Sequence, residues 1–247
     1  MVDVEKVLLV DAGSTRVKWL LRAGQEATRD SLVHRQKMSS AVERLPDASR
    51  LVVASVLGKD LDRDFFRALA DRYGRKPEFV NATRSCCGVT SAYTDPGQLG
   101  VDRLLGMVAG WNRVEGACLV VDCGTAVTLD MMDQDGQHLG GQVIPGVGLM
   151  VHGLVAGTRL TVTPALPERV WGYDTSACVS SGVFRAIAAL IDRMAEEIPG
   201  PERAEARVLM TGGDAPAVAS LVRTPLQVFP DLVLEGLACW AGLEYKR

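Results

Sequence analysis

The sequence predicts an α/β protein in which one strand-and-helix pattern is used twice. Three observations carry that expectation. Apolar, β-branched runs alternate with stretches of helical periodicity along the 247 residues. The run LLVDAG at 8–13 ends on an acid followed by a small residue and a glycine, and LVVDCG at 119–124 does so again. Registering Asp11 on Asp122 also aligns Leu8 with Leu119, Val10 with Val121, Gly13 with Gly124 and Ser14 with Thr125, a repeat offset by 111 residues.

Taken in order, EKVLLV (5–10) reads as a buried strand and TRVKWLLRA (15–23) as its hairpin partner across the Gly13 turn. RLVVASVLG (50–58) is a further strand, and DLDRDFFRALADRYG (60–74) is a helix opened by acids and closed by glycine. KPEFVNA (76–82) is a short strand; CCGVTSAYTDPGQLG (86–100) is rich in turn formers and reads as a loop. That loop delivers the chain to a helix over 101–114, whose Leu104, Leu105, Val108 and Trp111 recur at helical spacing. Three extended runs from Ala117 to Gly146, separated by glycines and the Asp135–Gly136 turn, form an antiparallel meander. Helices follow at 149–158 and 174–198, the second capped by Asp174 or Thr175. A strand and glycine turn at 206–218 lead into a helix, then a strand over 225–230 and a last helix over 231–246. The expected domains are 1–115 and 116–247.

The composition is that of an ordinary globular chain, with 47% hydrophobic and 23% charged residues. A net charge of −3 lacks the basic excess that a nucleic-acid backbone or an anionic membrane surface would call for. No apolar run reads as a signal peptide or a membrane span. The six cysteines form no CxxC pair and are expected to be reduced and mostly buried, in a cytoplasmic protein.

An acid at a strand end, followed by glycine and a hydroxyl, suits phosphate binding. The glycine lets amides approach closely, the hydroxyl donates, and the carboxylate can hold a metal ion or its water. One such turn equally suits an Asx turn that serves only its own loop; two related turns favour a nucleotide. The chain has neither GxxxxGK[ST] nor GxGxxG after its first strand, while MTGGDA (210–215) is a third glycine turn before a helix. In GVDR (100–103) a carboxylate and a guanidinium stand together at a helix entrance, suited to a hydroxyl and a carboxylate of one substrate. Read alone, the same four residues also suit a capping Asp beside a surface Arg. His34, His138 and His152 are expected to be structural, and Trp19 and Trp111 to be core or interface aromatics.

DAGSTRVKW, GVDR, DCGTAVTLD, GGQVIPGVGLM, TGGDA and PDLVLEGL stand in the order and spacing that resemble the type III pantothenate kinases, through nearly the whole chain. That family belongs to the superfamily of acetate and sugar kinases, heat-shock chaperones and actin. The resemblance implies an actin-like ATPase fold of two ribonuclease-H-like domains, with mixed sheets flanked by helices and ATP between the domains. It implies Asp102 as general base for the pantothenate hydroxyl and Arg103 on the substrate carboxylate. Tyr93, Gly100, Val101 and Thr175 would complete that site. Asp11, Ala12, Gly13, Ser14, Thr15, Arg16, Val17 and Lys18 would form the phosphate loop, with Asp11 near magnesium and Thr125 on ATP. Asp122 would serve the monovalent cation, potassium or ammonium, and a homodimer is expected. The family's first motif usually carries Asn where this chain has Ser14, which keeps a hydrogen-bonding group and loses the longer amide. The other readings weighed are a different small-molecule kinase or phosphatase of the superfamily, and a non-enzymatic accessory activator of transcription.

Overall fold

A computed structural model describes residues 5–33, 38–114, 116–198 and 207–243. His34 and the end of the expected last helix, 244–246, lie outside the described residues. The chain divides into two compact units. The first comprises residues up to Cys87, Tyr93–Ala109 and those from Leu232 on; the second comprises Gly88–Ala92 and Gly110–Asp231.

In the first unit, β1 (Lys6–Ala12), β2 (Arg16–Ala23) and β3 (Glu26–Val33) form an antiparallel meander. β4 (Arg50–Ser55) and β5 (Glu78–Phe79) add in parallel on the far side of β1, giving the order β3-β2-β1-β4-β5. β1 reads as a continuous apolar run because both of its faces are covered. Leu8, Val10 and Ala12 pack with Ala41 and Val42 of α1 (Met38–Glu43) and with Phe65 and Leu69 of α2 (Lys59–Tyr73). Val7 and Leu9 pack on the other face with Val101 and Leu105 of α3 (Val101–Val114) and with Val233, Leu234 and Leu237 of α7 (Leu232–Trp240). α7 therefore belongs with the first sheet, although the sequence places it in the span 116–247. α2 stops at Gly74, whose φ of 63° is left-handed and suits glycine. The expected loop between β5 and α3 contains only the two-residue strands β6 (Ser85–Cys86) and β7 (Val89–Thr90) and a single 3-10 turn, Pro96–Gln98.

The second unit repeats the topology. β8 (Cys118–Cys123), β9 (Ala126–Met132) and β10 (His138–Pro145) form the expected meander, and β11 (Arg207–Thr211) and β12 (Leu226–Val228) lie parallel beyond β8. The order β10-β9-β8-β11-β12 matches the first sheet strand for strand, so β8 is the counterpart of β1. Its core joins Leu119, Val121 and Cys123 to Val147 and Val151 of α4 (Val147–Gly157), to Phe184, Ile187 and Ile191 of α5 (Thr175–Glu196), and to Ala215 and Val218 of α6 (Ala215–Ala219). α5 is the one described helix long and apolar enough to cross a membrane by length and composition. Here its apolar stripe is spent on the core of the unit. Of the six cysteines, Cys86, Cys118 and Cys123 are buried, Cys87 and Cys178 are exposed, and Cys239 is intermediate.

Candidate active site

In the first unit, β1 carries Asp11 to the foot of a hairpin. Asp11 pairs with Lys18 and Ala12 with Val17 across the antiparallel register, and Gly13 N donates to Arg16 O at 3.0 Å to close the turn. Ala12 and Val17 are buried and anchor the hairpin in the core, whereas Ser14, Thr15 and Arg16 are exposed at its tip. The turn thus offers hydroxyls and a guanidinium outward, with a half-buried carboxylate behind them. That suits the phosphates of a nucleotide.

The second cluster of the unit is at the start of α3. The Asp102 Oδ1 accepts the backbone N–H of Arg103 at 2.8 Å. Arg103 Nη1 donates to the Tyr93 hydroxyl at 2.9 Å, with its guanidinium carbon 5.6 Å from the centre of the Tyr93 ring. Asp95 shapes the path between them, its Oδ1 accepting from Gly97 N at 2.9 Å. Gly100 has a steric reason: a Cβ there would stand 2.5 Å from Asp102 Oδ1. Tyr93, Gly100, Val101, Asp102 and Arg103, expected to share a site, are therefore one cluster in the structure.

In the second unit, glycine-bearing turns converge on Asp122. Asp122, the penultimate residue of β8, pairs with Thr128 of β9 and Thr211 of β11. Gly212, with φ of 99°, backs onto it so closely that a Cβ would reach within 2.5 Å of Asp122 Oδ1. Gly146 N donates to Thr125 O at 2.9 Å, and a side chain at Gly146 would overlap the Gly124 and Thr125 carbonyls. Asp214 N donates to Cys123 O at 3.0 Å, so the third glycine turn is tied to the second. Burial raises the Asp214 carboxyl above its usual range. The Cys123 thiol is pushed up to about 12, chiefly by burial and further by the Asp122 and Asp214 carboxylates. Thr175 stands apart from these turns as the exposed first residue of α5. The cap of that helix is Asp174, whose Oδ1 accepts from Ala177 N at 2.8 Å.

Sequence reasoning passed over Gly146 and Asp214 as members of this cluster. Both lay within quoted glycine-rich stretches, but only tertiary packing brings those turns together. It also took His138 for an isolated structural residue, whereas its ring faces a carboxylate, Nε2 to Asp130 Oδ1 at 3.1 Å, with both residues buried. His152 is exposed. Trp19 is buried in the first core, and Trp111 packs against Gly88 and Gly136.

The family model of type III pantothenate kinases matches residues 7–197. A type III pantothenate kinase of Nitrosococcus oceani is 37% identical over 246 aligned residues, covering 94% of this chain and 92% of the relative. That of Halorhodospira halophila is 36% identical, covering 97% and 99%. Among solved structures, one described as a conserved Baf family transcriptional activator from Campylobacter jejuni aligns with a TM-score of 0.60 at 19% identity, covering 93% of this chain and 94% of that one. The ethanolamine utilization protein EutJ from Carboxydothermus hydrogenoformans aligns at 0.50 and 10% identity, covering 94% and 89%. These two likenesses concern the fold, and they agree with the actin-like, doubly built α/β architecture.

Proposed function

The chain belongs to the type III pantothenate kinase family, and from that premise we propose a role for each cluster in the transfer of phosphate from ATP to pantothenate. The activity is an ATP-dependent phosphorylation of pantothenate to 4′-phosphopantothenate, the first step of coenzyme A synthesis. The observation that supports the residue assignment best is the Tyr93–Asp102–Arg103 cluster, which sets a carboxylate beside a guanidinium already oriented by a phenol.

In this reading Asp102 takes the proton of the primary hydroxyl as its oxygen bonds to the γ-phosphorus and the bond to the β-phosphate oxygen breaks. ADP leaves, and Asp102 returns the proton to water. An ordinary carboxylate serves when the proton moves late, because phosphoryl transfer asks mainly for alignment and charge neutralisation. Arg103 holds the pantothenate carboxylate, with Tyr93, Gly100 and Val101 beside it, and the family pattern makes Thr175 a further pantothenate contact. The hairpin from Asp11 to Lys18 receives the phosphates, and Thr125 contacts ATP.

The donor set fits the ions the family implies. No cluster of three acid, His or Cys side chains among the described residues could hold a metal by itself. A lone carboxylate such as Asp11 suits magnesium, which is commonly held by one or two carboxylates together with substrate phosphates. The Asp122 carboxylate, beside the Cys123 carbonyl against which Gly212 packs, suits a monovalent cation on oxygen ligands. When bound, these ions would neutralise phosphate charge. A homodimer in the cytoplasm completes the proposal. Among the described residues, the large exposed hydrophobics other than Val33 and Leu61 fall in the second unit, Leu149, Leu154, Trp171 and Tyr173 among them, as a subunit interface there would require.

The test is turnover by the purified protein with ATP, magnesium and pantothenate, in potassium and in sodium, beside Asp102→Asn. The expected result is turnover favoured by potassium, with kcat about 10²–10⁴-fold lower in the variant. Equal rates for wild type and variant would remove Asp102 from its role.

A further inference from the structure

The β9–β10 hairpin holds two titratable side chains that the phosphoryl transfer does not use. Asp130 and His138 are each 1% exposed. His138 Nε2 lies 3.1 Å from Asp130 Oδ1, and on the other edge of the ring Nδ1 accepts the backbone N–H of Ala92 at 3.4 Å. A ring nitrogen that accepts a hydrogen bond carries no proton, so the imidazole proton belongs on Nε2, towards the carboxylate. The Asp130 carboxylate 3.1 Å away favours the proton on Nε2 electrostatically, although the pair lies outside hydrogen-bond geometry.

Ala92 is the last residue of the short stretch, Gly88–Ala92, that packs with the second unit. The rest of that stretch is stitched to the same hairpin. Thr90 N donates to Gly136 O at 2.9 Å, and Gln137 Nε2 donates to Thr90 O at 3.0 Å. Gly88 also lies flat against Trp111, where a Cβ would come within 2.5 Å of the ring. The residue after Ala92 is Tyr93, whose hydroxyl accepts from Arg103.

We propose that Asp130 and His138 are positioning residues for pantothenate binding: together they hold the Ala92 amide and so fix the backbone from which Tyr93 reaches Arg103. The inference rests on the assignment of Arg103 and Tyr93 to the pantothenate site. It explains why a histidine with no part in the chemistry is fully buried against an acid while its ring accepts the amide of the residue just before Tyr93.

Two near-isosteric variants separate positioning from general stability. His138→Asn keeps an acceptor where Nδ1 stood. His138→Gln keeps a donor where Nε2 stood and loses that acceptor. The expected result is a pantothenate KM raised about fivefold in His138→Gln and within twofold of wild type in His138→Asn, with the KM for ATP unchanged in both. Hydrogen exchange at the Ala92 amide should quicken in His138→Gln alone. Asp130→Asn, which frees the tautomer, should also quicken it, and this variant carries the test if the glutamine protein does not fold. Unchanged exchange at Ala92 in the variants that lose the acceptor or the tautomer lock would overturn the proposal. So would a rise of both KM values together, or the same KM in the two His138 variants. Arg103→Lys is the control for the underlying assignment. If it leaves the pantothenate KM unchanged while Ala92 exchange responds as expected, the error lies in placing the substrate at Arg103 and not in the anchor.

Discussion

At the scale of single residues, the space around a carboxylate decides more than its identity. Gly100 leaves room for Asp102, and a methyl group there would press on Oδ1 at 2.5 Å. Gly100→Ala should therefore lower kcat at least tenfold while shifting the melting temperature by only a few degrees, checked by steady-state kinetics beside a thermal melt. The buried thiol next to Asp122 gives a second expectation. With its thiol held at about 12, Cys123 carries almost no thiolate at pH 8, and raising the pH helps only as it approaches that value. Iodoacetamide at pH 8 should thus alkylate the exposed Cys178 and spare Cys123 until the protein is unfolded, as peptide mass mapping would show. Asp11, Asp102 and Asp122 were legible in the sequence because an acid at an apolar strand end or a helix entrance breaks a pattern. Asp214, Gly146 and the Asp130–His138 pair were not, since their significance lies in neighbours far away along the chain.

At the scale of elements, helices and core strands announced themselves through period and punctuation. α2 begins within one residue of the acid-rich opening and ends at the glycine that closes it, and β8 to β10 follow the glycine-separated runs. β3 escaped because an edge strand with both faces largely in water carries no alternation: only Leu32 among its eight residues is buried. α1, six residues long, is too short to show a period. At α5 the sequence left two candidates for the cap, and the geometry selects Asp174. Asp174→Ala should cost about 1 kcal/mol, a fall of about 2–4 °C in melting temperature for a chain of this size, whereas Thr175→Ala should leave the melt unchanged and raise the pantothenate KM. Calorimetry and kinetics on the two variants read these effects separately.

At the scale of the whole molecule, the short repeat around Asp11 and Asp122 proves to be a repeat of entire sheets, with the same strand order and the same senses. The sequence could not show where α7 goes, because an apolar helix looks the same whichever sheet it covers. Its Val233, Leu234 and Leu237 close the face of the first sheet formed by Val7 and Leu9. A fragment that stops at Glu115 should consequently fail to fold, with an unfolded circular-dichroism and hydrogen-exchange signature, and adding the 232–247 peptide in trans should restore protection to β1. The return of α7 also sets an order of events on the ribosome. Every residue of the second unit has been synthesised by Asp231, while the first unit still waits for its last helix. The half of the protein made first is thus the half completed last, and the hairpin from Asp11 to Lys18 gains its finished support only once α7 has been made.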